Sequence, residues 1–282
     1  MIDIGTNSVL LLVGHRVDSR VELVRDEARI TRLGEGVSAS GRLAKPAIER
    51  TLRVLEEYRE LAARDGAELV AVATEGLRQA SDPEAFLEPA ARVLGRDVEM
   101  ISGDEEARLS YLSVAREEAD AETLRVLDIG GGSTELVVGR GEHIESRKSH
   151  KVGSVRMTER FGEDIDAIAQ AVREAFASQP VAPSPVLHGL AGTVTTAVAV
   201  MLELEIYDRD RVDGTRWSLA QIEALREQLA SETAQQRTRR PCLPEGRADV
   251  IVAGLTILVE ALRHCGASTL VCRDRGLRYA LL

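Results

Sequence analysis

The chain is short of cysteine, and its cysteines are spaced so that they build nothing. Cys242, Cys265 and Cys272 are an odd three among 282 residues and include no CxxC pair, which excludes a disulfide framework and a thiolate zinc site. The five histidines contain no HxxxH pair, so the usual ligand spacing of a zinc hydrolase is missing too. Positive charge is in deficit: 36 Lys and Arg against 46 Asp and Glu leave a net charge of -10. Such a chain lacks the basic patch or stripe of a general nucleic-acid binder, although a polyanion could still be held in a local basic cleft. No apolar run is long enough for a bilayer; the longest, Val250 to Leu262, contains Glu260 and reads as a buried helix. The first residues enter a strand-like run at once, without a basic region or a small-residue cleavage site, and low-complexity segments are absent. The expectation is a cytoplasmic protein that neither spans a membrane nor binds nucleic acid.

What the sequence does have is a repeat. MIDIGTNSVLLLVG, Met1 to Gly14, returns as VLDIGGGSTELVVG, Val126 to Gly139, with Asp3/Asp128, Ile4/Ile129, Gly5/Gly130, Ser8/Ser133, Leu11/Leu136, Val13/Val138 and Gly14/Gly139 identical. After the first copy come a second strand in VELVRDEARI, a helix from Pro46 to Arg64 with Ile48, Leu52, Leu55 and Leu61 on one face, and a buried strand within Glu68 to Thr74. A capped helix in SDPEAFLEPAARVL, a strand in DVEMIS and a helix from Asp104 to Glu117 follow. The polar stretch EADAETLR then precedes the second copy. Beyond that copy lie a helix near 167–177, a proline-rich linker SQPVAPSP and the strand VLHGLAG. Helices from Val194 to about Glu203, Leu219 to Glu232 and Ala248 to His264 and a last strand STLVC complete the pattern. Strands alternating with helices around a duplicated unit predict an α/β fold in two domains, 1–121 and 122–282.

Each copy ends a buried strand on Asp-Ile-Gly and turns through small residues into another apolar run. Such a turn is mostly bare backbone, so successive N–H groups can converge on an anion while Ser or Thr hydroxyls add donors. The aspartate beside it repels phosphate directly and becomes useful when a divalent cation lies between them. Two hairpins face to face would grip a phosphate chain from both sides. The turn GLAGTVTT, with Gly192 and Thr193 at a helix N-terminus, would be a third anion site by the same physics.

These segments resemble the phosphate-binding hairpins of the acetate kinase, sugar kinase, Hsp70 and actin superfamily, and within it the Ppx/GppA phosphatases. The resemblance runs through DIGTNS at Asp3, TRLGEGV at Thr31, GLRQA at Gly76, ISGDEEARLSY at Ile101 and DIGGGSTEL at Asp128. It continues through VGSVRMTERF at Val152, GLAGTVTT at Gly189, RADVIVAG at Arg247 and DRGLRYALL at Asp274. It implies two actin-like (ribonuclease H-like) domains with mixed sheets flanked by helices and an active site in the interdomain cleft. It further implies Glu106 as general base with Glu105 in support, Asp128 and Glu135 as the acidic pair that positions Mg²⁺, directly or through its waters, and Arg78 as a phosphate contact. Gly5, Thr6, Asn7 and Ser8 would face Gly130, Gly131, Gly132 and Ser133 across the cleft as the substrate cradle.

The implied activity is Mg²⁺-dependent release of terminal phosphate from inorganic polyphosphate, with guanosine pentaphosphate as the alternative substrate. Readings from other classes are a non-catalytic polyphosphate- or nucleotide-sensing module and an ATPase or kinase of the superfamily. The resemblance also suggests a homodimer and a short two-domain form. The sequence departs from the family pattern at Leu10, where Arg or His is common, at Asp213 in place of His, at Arg273 in place of Ser and at Ala280 in place of Gly.

Overall fold

In the computed structural model, residues 1–17, 20–118 and 123–282 are described; the expected boundary between residues 121 and 122 lies outside the described residues. Strands β1 (Ile2–Ile4), β2 (Ser8–Val17), β3 (Arg20–Ile30), β4 (Ala71–Ala73) and β5 (Glu99–Met100) form one sheet in the order β3-β2-β1-β4-β5. Its β1–β2–β3 part is antiparallel and its β1–β4–β5 part parallel. The second sheet contains β6 (Leu124–Ile129), β7 (Thr134–Arg140), β8 (His143–His150), β9 (Val186–Leu190), β10 (Arg216–Ser218) and β11 (Thr269–Cys272), in the order β10-β11-β9-β6-β7-β8. It too is mixed, with β6–β7–β8 antiparallel and β6–β9–β11 parallel.

The sequence repeat is a structural repeat in every particular of the hairpin. Asp3 pairs with Leu10 as Asp128 pairs with Glu135. The turns close alike, Gly5 N–H to Ser8 O and Gly130 N–H to Ser133 O, both at 3.0 Å. The register shifts between Val13 and Gly14 against the next strand, and again between Val138 and Gly139. Glycine is required at Gly14 because a Cβ there would sit 2.7 Å from the carbonyl oxygen of Glu22, and the extra residue of the bulge bends the strand.

Around the first sheet lie α1 (Val37–Ser40), α2 (Lys45–Arg64), α3 (Glu75–Arg78) and α4 (Glu84–Leu94), while α5 (Gly103–Ala115) packs on β6, β7 and β8 of the second. Helix α2 buries Ala47, Thr51, Leu55, Tyr58 and Ala62 at three- and four-residue spacing. Around the second lie also α6 (Ser154–Phe161), α7 (Ile165–Phe176), α8 (Ala191–Met201), α9 (Arg209–Val212), α10 (Leu219–Ala230), α11 (Ala234–Arg237) and α12 (Ile251–His264), while α13 (Leu277–Leu281) packs on α5 and on β1 of the first sheet. Every residue of α12 from Ile251 to Leu262 is buried, as expected of a helix that is apolar on all sides.

The two expected strands at Glu68 to Thr74 and in DVEMIS are shorter than their apolar runs, reduced to Ala71–Ala73 and Glu99–Met100. β5 is an edge strand with a single parallel neighbour, which limits how far its ladder extends.

Helices α5 and α13 tie the two sheets together. Ala107, Tyr111, Leu112, Val114 and Ala115 of α5 share a core with Leu124, Val126, Val137 and Leu190 of the second sheet. Leu109, on the same helix, packs with Met1, Leu12, Val72 and Ile101 of the first. Leu277 and Tyr279 of α13 join that second cluster. Arg278 Nη1 donates to Asp26 Oδ1 at 2.6 Å, and the Tyr279 hydroxyl donates to Asp26 Oδ2 at 2.7 Å. Among the described residues no helix is long and apolar enough to cross a membrane.

Candidate active site

The two hairpin turns open on one cleft of about 790 Å³ between the sheets. Gly5, Thr6, Asn7 and Ser8 line it from the first hairpin, Gly130, Gly131, Gly132 and Ser133 from the second, and Gly192 and Thr193 from the start of α8. Asp3, Glu75, Glu106 and Asp128 form the acidic wall beside the two turns, with Asp26, Glu27, Glu205 and Asp274 elsewhere in the lining. Arg78 and Glu135 do not line the cavity; they stand behind Glu106 and Asp128. Since Gly5 and Gly130 use their N–H groups to close their own turns, the amides left without an acceptor among the described residues are those of Thr6, Asn7, Gly131, Gly132 and Ser133. Converging unpaired backbone N–H groups are what an anion cradle needs.

Glu106 is set by the start of α5. Ser102 caps that helix, its Oγ accepting from Glu105 N at 3.1 Å, so Glu106 falls in the first turn and its side chain is buried. Arg78 Nη2 donates to Glu106 Oε2 at 2.9 Å. Burial pushes the Glu106 carboxyl up to about 8, the charges of Asp128 and Asp3 adding to the rise and Arg78 opposing it. Glu105 instead turns to its own helix and accepts from Arg108 at 2.8 and 2.7 Å.

Asp128 lies one residue before the end of β6, and its Oδ2 accepts from the Ser110 hydroxyl at 2.5 Å; burial raises its pKa. Glu135, opposite it on β7, accepts from the Ser149 hydroxyl at 2.6 Å. Its pKa is raised well above the ordinary value by burial and then by the charges of Glu106 and Asp128. Asp3 is lifted to about 7, mainly by burial and partly by Asp128, with Arg278 opposing, and its Oδ1 is buried with no hydrogen-bond partner.

Four mutually repelling carboxylates with an orphaned oxygen fit a hard divalent cation, whose charge would relieve the crowding. Among the described residues no three His, Cys, Asp or Glu side chains converge as a closed metal cage. An ion that keeps most of its waters and takes one or two carboxylates matches that donor set.

Several residues of the site have no role that the sequence alone assigns. Asp3, the counterpart of Asp128 in the repeat, joins the acidic set on the cleft wall. Glu75 lies one position before GLRQA. Arg156 sits in the second half, where its Nε donates to Gly132 O and its Nη2 to Glu75 Oε1, each at 2.7 Å. Arg247 donates to Gly192 O at 2.8 Å and to the Thr196 hydroxyl at 2.5 Å, so a guanidinium closes the cleft beside the α8 N-terminus.

Thr6 does more than lend an amide. Added Cβ atoms on Gly76, Gly131 and Gly132 would lie 2.8 to 3.0 Å from its atoms, so its side chain is keyed between segments from both halves of the chain. Of the departures, Leu10 occupies the position that corresponds to Glu135 and lines the cleft. Arg273 and Asp213 face each other at 3.8 Å, so the two changes form one ion pair.

Residues 12–282 match the Ppx/GppA phosphatase family. Exopolyphosphatase 2 of Mycobacterium tuberculosis is 37% identical, over 93% of this chain and 89% of that protein. The crystal structure of the Aquifex aeolicus Ppx/GppA family member superposes with a TM-score of 0.82 at 33% identity, covering 99% of this chain and 94% of that one. An exopolyphosphatase-like protein of known structure gives a TM-score of 0.91 at 30% identity with the same coverage.

Proposed function

Because the chain belongs to the Ppx/GppA phosphatase family, we propose that it is an exopolyphosphatase, hydrolysing the terminal phosphoanhydride of inorganic polyphosphate with release of orthophosphate. The observation that carries the reading is the placement of Glu106: a buried carboxylate on the wall of a cleft whose opposite walls are two glycine turns with unpaired amides.

The amides of Thr6 and Asn7 on one side, and of Gly131, Gly132 and Ser133 on the other, would hold the terminal phosphoryl group and its neighbour, compensating charge in a site that excludes bulk water. Glu106 would orient a water and take its proton as the new P–O bond forms. The bridging P–O bond breaks, and the electron pair stays on the shortened chain. The raised pKa makes Glu106 a stronger base than an ordinary carboxylate once it is ionised, and Arg78 favours that ionised form. Asp128 and Asp3 would hold the divalent cation, Mg²⁺ in this reading, with Glu135 behind Asp128; when bound, the cation neutralises phosphate charge and lowers the pKa of the carboxylates around it.

The test is phosphate release by the purified protein on short and long polyphosphate, guanosine pentaphosphate and ATP, with Mg²⁺ or chelator, beside Glu106→Gln. Cation-dependent release from polyphosphate, reduced at least about a hundredfold by the substitution, is the expected result. Release that survives Glu106→Gln would remove Glu106 as the base, and tight binding of polyphosphate without release would replace the enzyme by a sensing module.

A further inference from the structure

We propose that Glu75 is a positioning residue that registers the base of one half of the molecule against the phosphate turn of the other. The inference rests on the hydrolase reading above. Glu75 opens α3, is buried, and receives two arginines. Its Oε2 accepts from Arg78 Nε at 3.2 Å and Nη2 at 3.0 Å, and its Oε1 accepts from Arg156 Nη2 at 2.7 Å.

Each arginine carries the link onward. Arg78 Nη2 reaches Glu106 Oε2 at 2.9 Å, and Arg78 Nη1 reaches Ile101 O at 2.7 Å. Arg156, on α6, fixes Gly132 O at 2.7 Å. The line Glu106, Arg78, Glu75, Arg156, Gly132 is therefore a continuous series of hydrogen bonds, charge-assisted at every step and stronger than neutral ones. It runs from α5 to the second hairpin turn.

The turn also rests on Glu75 directly, since a Cβ at Gly132 would lie 2.9 Å from Glu75 Cγ. With Glu75 neutral, Arg78 loses one of its two carboxylates and Arg156 loses its only one among the described residues. Arg78 then keeps only Glu106 and Ile101 O, and Arg156 only Gly132 O, so the two arginines are no longer joined through one carboxylate and the separation between Glu106 and the turn is free to drift. Glu75 acts here through its neighbours; its effect belongs to alignment, where small displacements are costly.

Glu75→Gln, Glu75→Asp, Arg156→Gln and the Glu75→Gln/Arg156→Gln double variant test this on short polyphosphate. Glu75→Gln is expected to lower kcat at least about tenfold while KM moves less than about threefold, the mark of an interaction that matters in the transition state. Glu75→Asp should recover part of the loss, and the double variant should be no worse than the poorer single one. A kcat within about twofold of the parent, or losses that multiply as independent sites do, would overturn the inference.

Hydrogen exchange separates its failure from that of the hydrolase reading, because it needs no substrate. The amides of Gly130, Ser154 and Arg156, bonded to the carbonyls of Ser133, Gly130 and Gly131, should exchange faster in Glu75→Gln while those of β9 do not change. Unaltered exchange at these three overturns the inference even in an active enzyme. A parent protein that hydrolyses no phosphoanhydride sinks the hydrolase reading and leaves the exchange result to decide the role of Glu75.

Discussion

At the scale of single residues, the cleft is built against its own stability. Glu106 has a folded-state pKa of about 8, above the ordinary carboxylate value of about 4.3. Below roughly pH 4 the carboxyl is protonated in both folded and unfolded chains and costs nothing. As pH rises, the unfolded chain ionises first, so the folded state loses stability across the window from about 4 to about 8. In chelator, Glu106→Gln should therefore be more stable than the parent at pH 8, with the difference vanishing near pH 4.5. Arg78 keeps Glu75 and Ile101 O in that variant, so it is not stranded. Urea unfolding at the two pH values measures this, and a Gln variant that is less stable at pH 8 would mean the ionised Glu106 is well compensated.

Arg237 is the opposite case. It is wholly buried, and its guanidinium donates to Leu229 O, Glu163 Oε1, Ala248 O, Glu163 Oε2 and Glu232 O. Every N–H is used, a condition under which burying a guanidinium is tolerated. Arg237→Met strands the ends of three segments and should cost about 3–5 kcal/mol in urea unfolding, with little change in KM for polyphosphate, because the residue does not line the cleft.

At the scale of elements, the second hairpin turn depends on what lies under it. Gly153 precedes α6, and a Cβ there would lie 2.5 Å from the carbonyl carbons of both Gly131 and Gly132. Backbone cannot yield as a flexible side chain can, so Gly153→Ala should push the turn toward the cleft. The expected result is a loss of kcat of about tenfold or more against a small change in melting temperature, read by kinetics and calorimetry on the same preparation.

This turn also shows what the sequence could tell. Its glycines and its aspartate were visible because a hairpin is local and, here, written twice; helix α2 was visible through its apolar periodicity and α12 through its unbroken apolar run, both local signals. Gly153 and Arg156 lie in the segment VGSVRMTERF that carries the resemblance, but their roles were not visible, since their partners Gly131, Gly132 and Glu75 lie far along the chain and leave no pattern near either end. Strand β8, with its alternation of charged and half-buried residues, and the short helix α6 passed unread for a related reason: their face is defined by α5 and α12, which pack on them. The segment from Asp104 to Glu117 announced a helix but could not say which sheet it would cover.

At the scale of the whole molecule, charge and cleft belong together. The chain carries a net charge of -10, yet the site proposed for a polyanion holds Asp3, Glu106, Asp128 and Glu135, all with raised pKa values. Repulsion of this kind is tolerable for binding phosphate only if a cation enters first or with the substrate. A cation binds the ionised carboxylates, so its hold on the free protein must strengthen as pH rises toward about 8, where Glu106 and Asp3 give up their protons. A ligand that binds only the folded state stabilises it by mass action. The melting temperature should therefore rise with added Mg²⁺ at pH 8, rise much less at pH 6, and return to its starting value with chelator. In Asp128→Asn the Mg²⁺ effect should shrink at both pH values, while the cation-free melting temperature at pH 8 should not fall, because one repelling charge is gone. A parent protein whose melting temperature is indifferent to Mg²⁺ at pH 8 would place the cation with the incoming phosphate chain and not with the carboxylates.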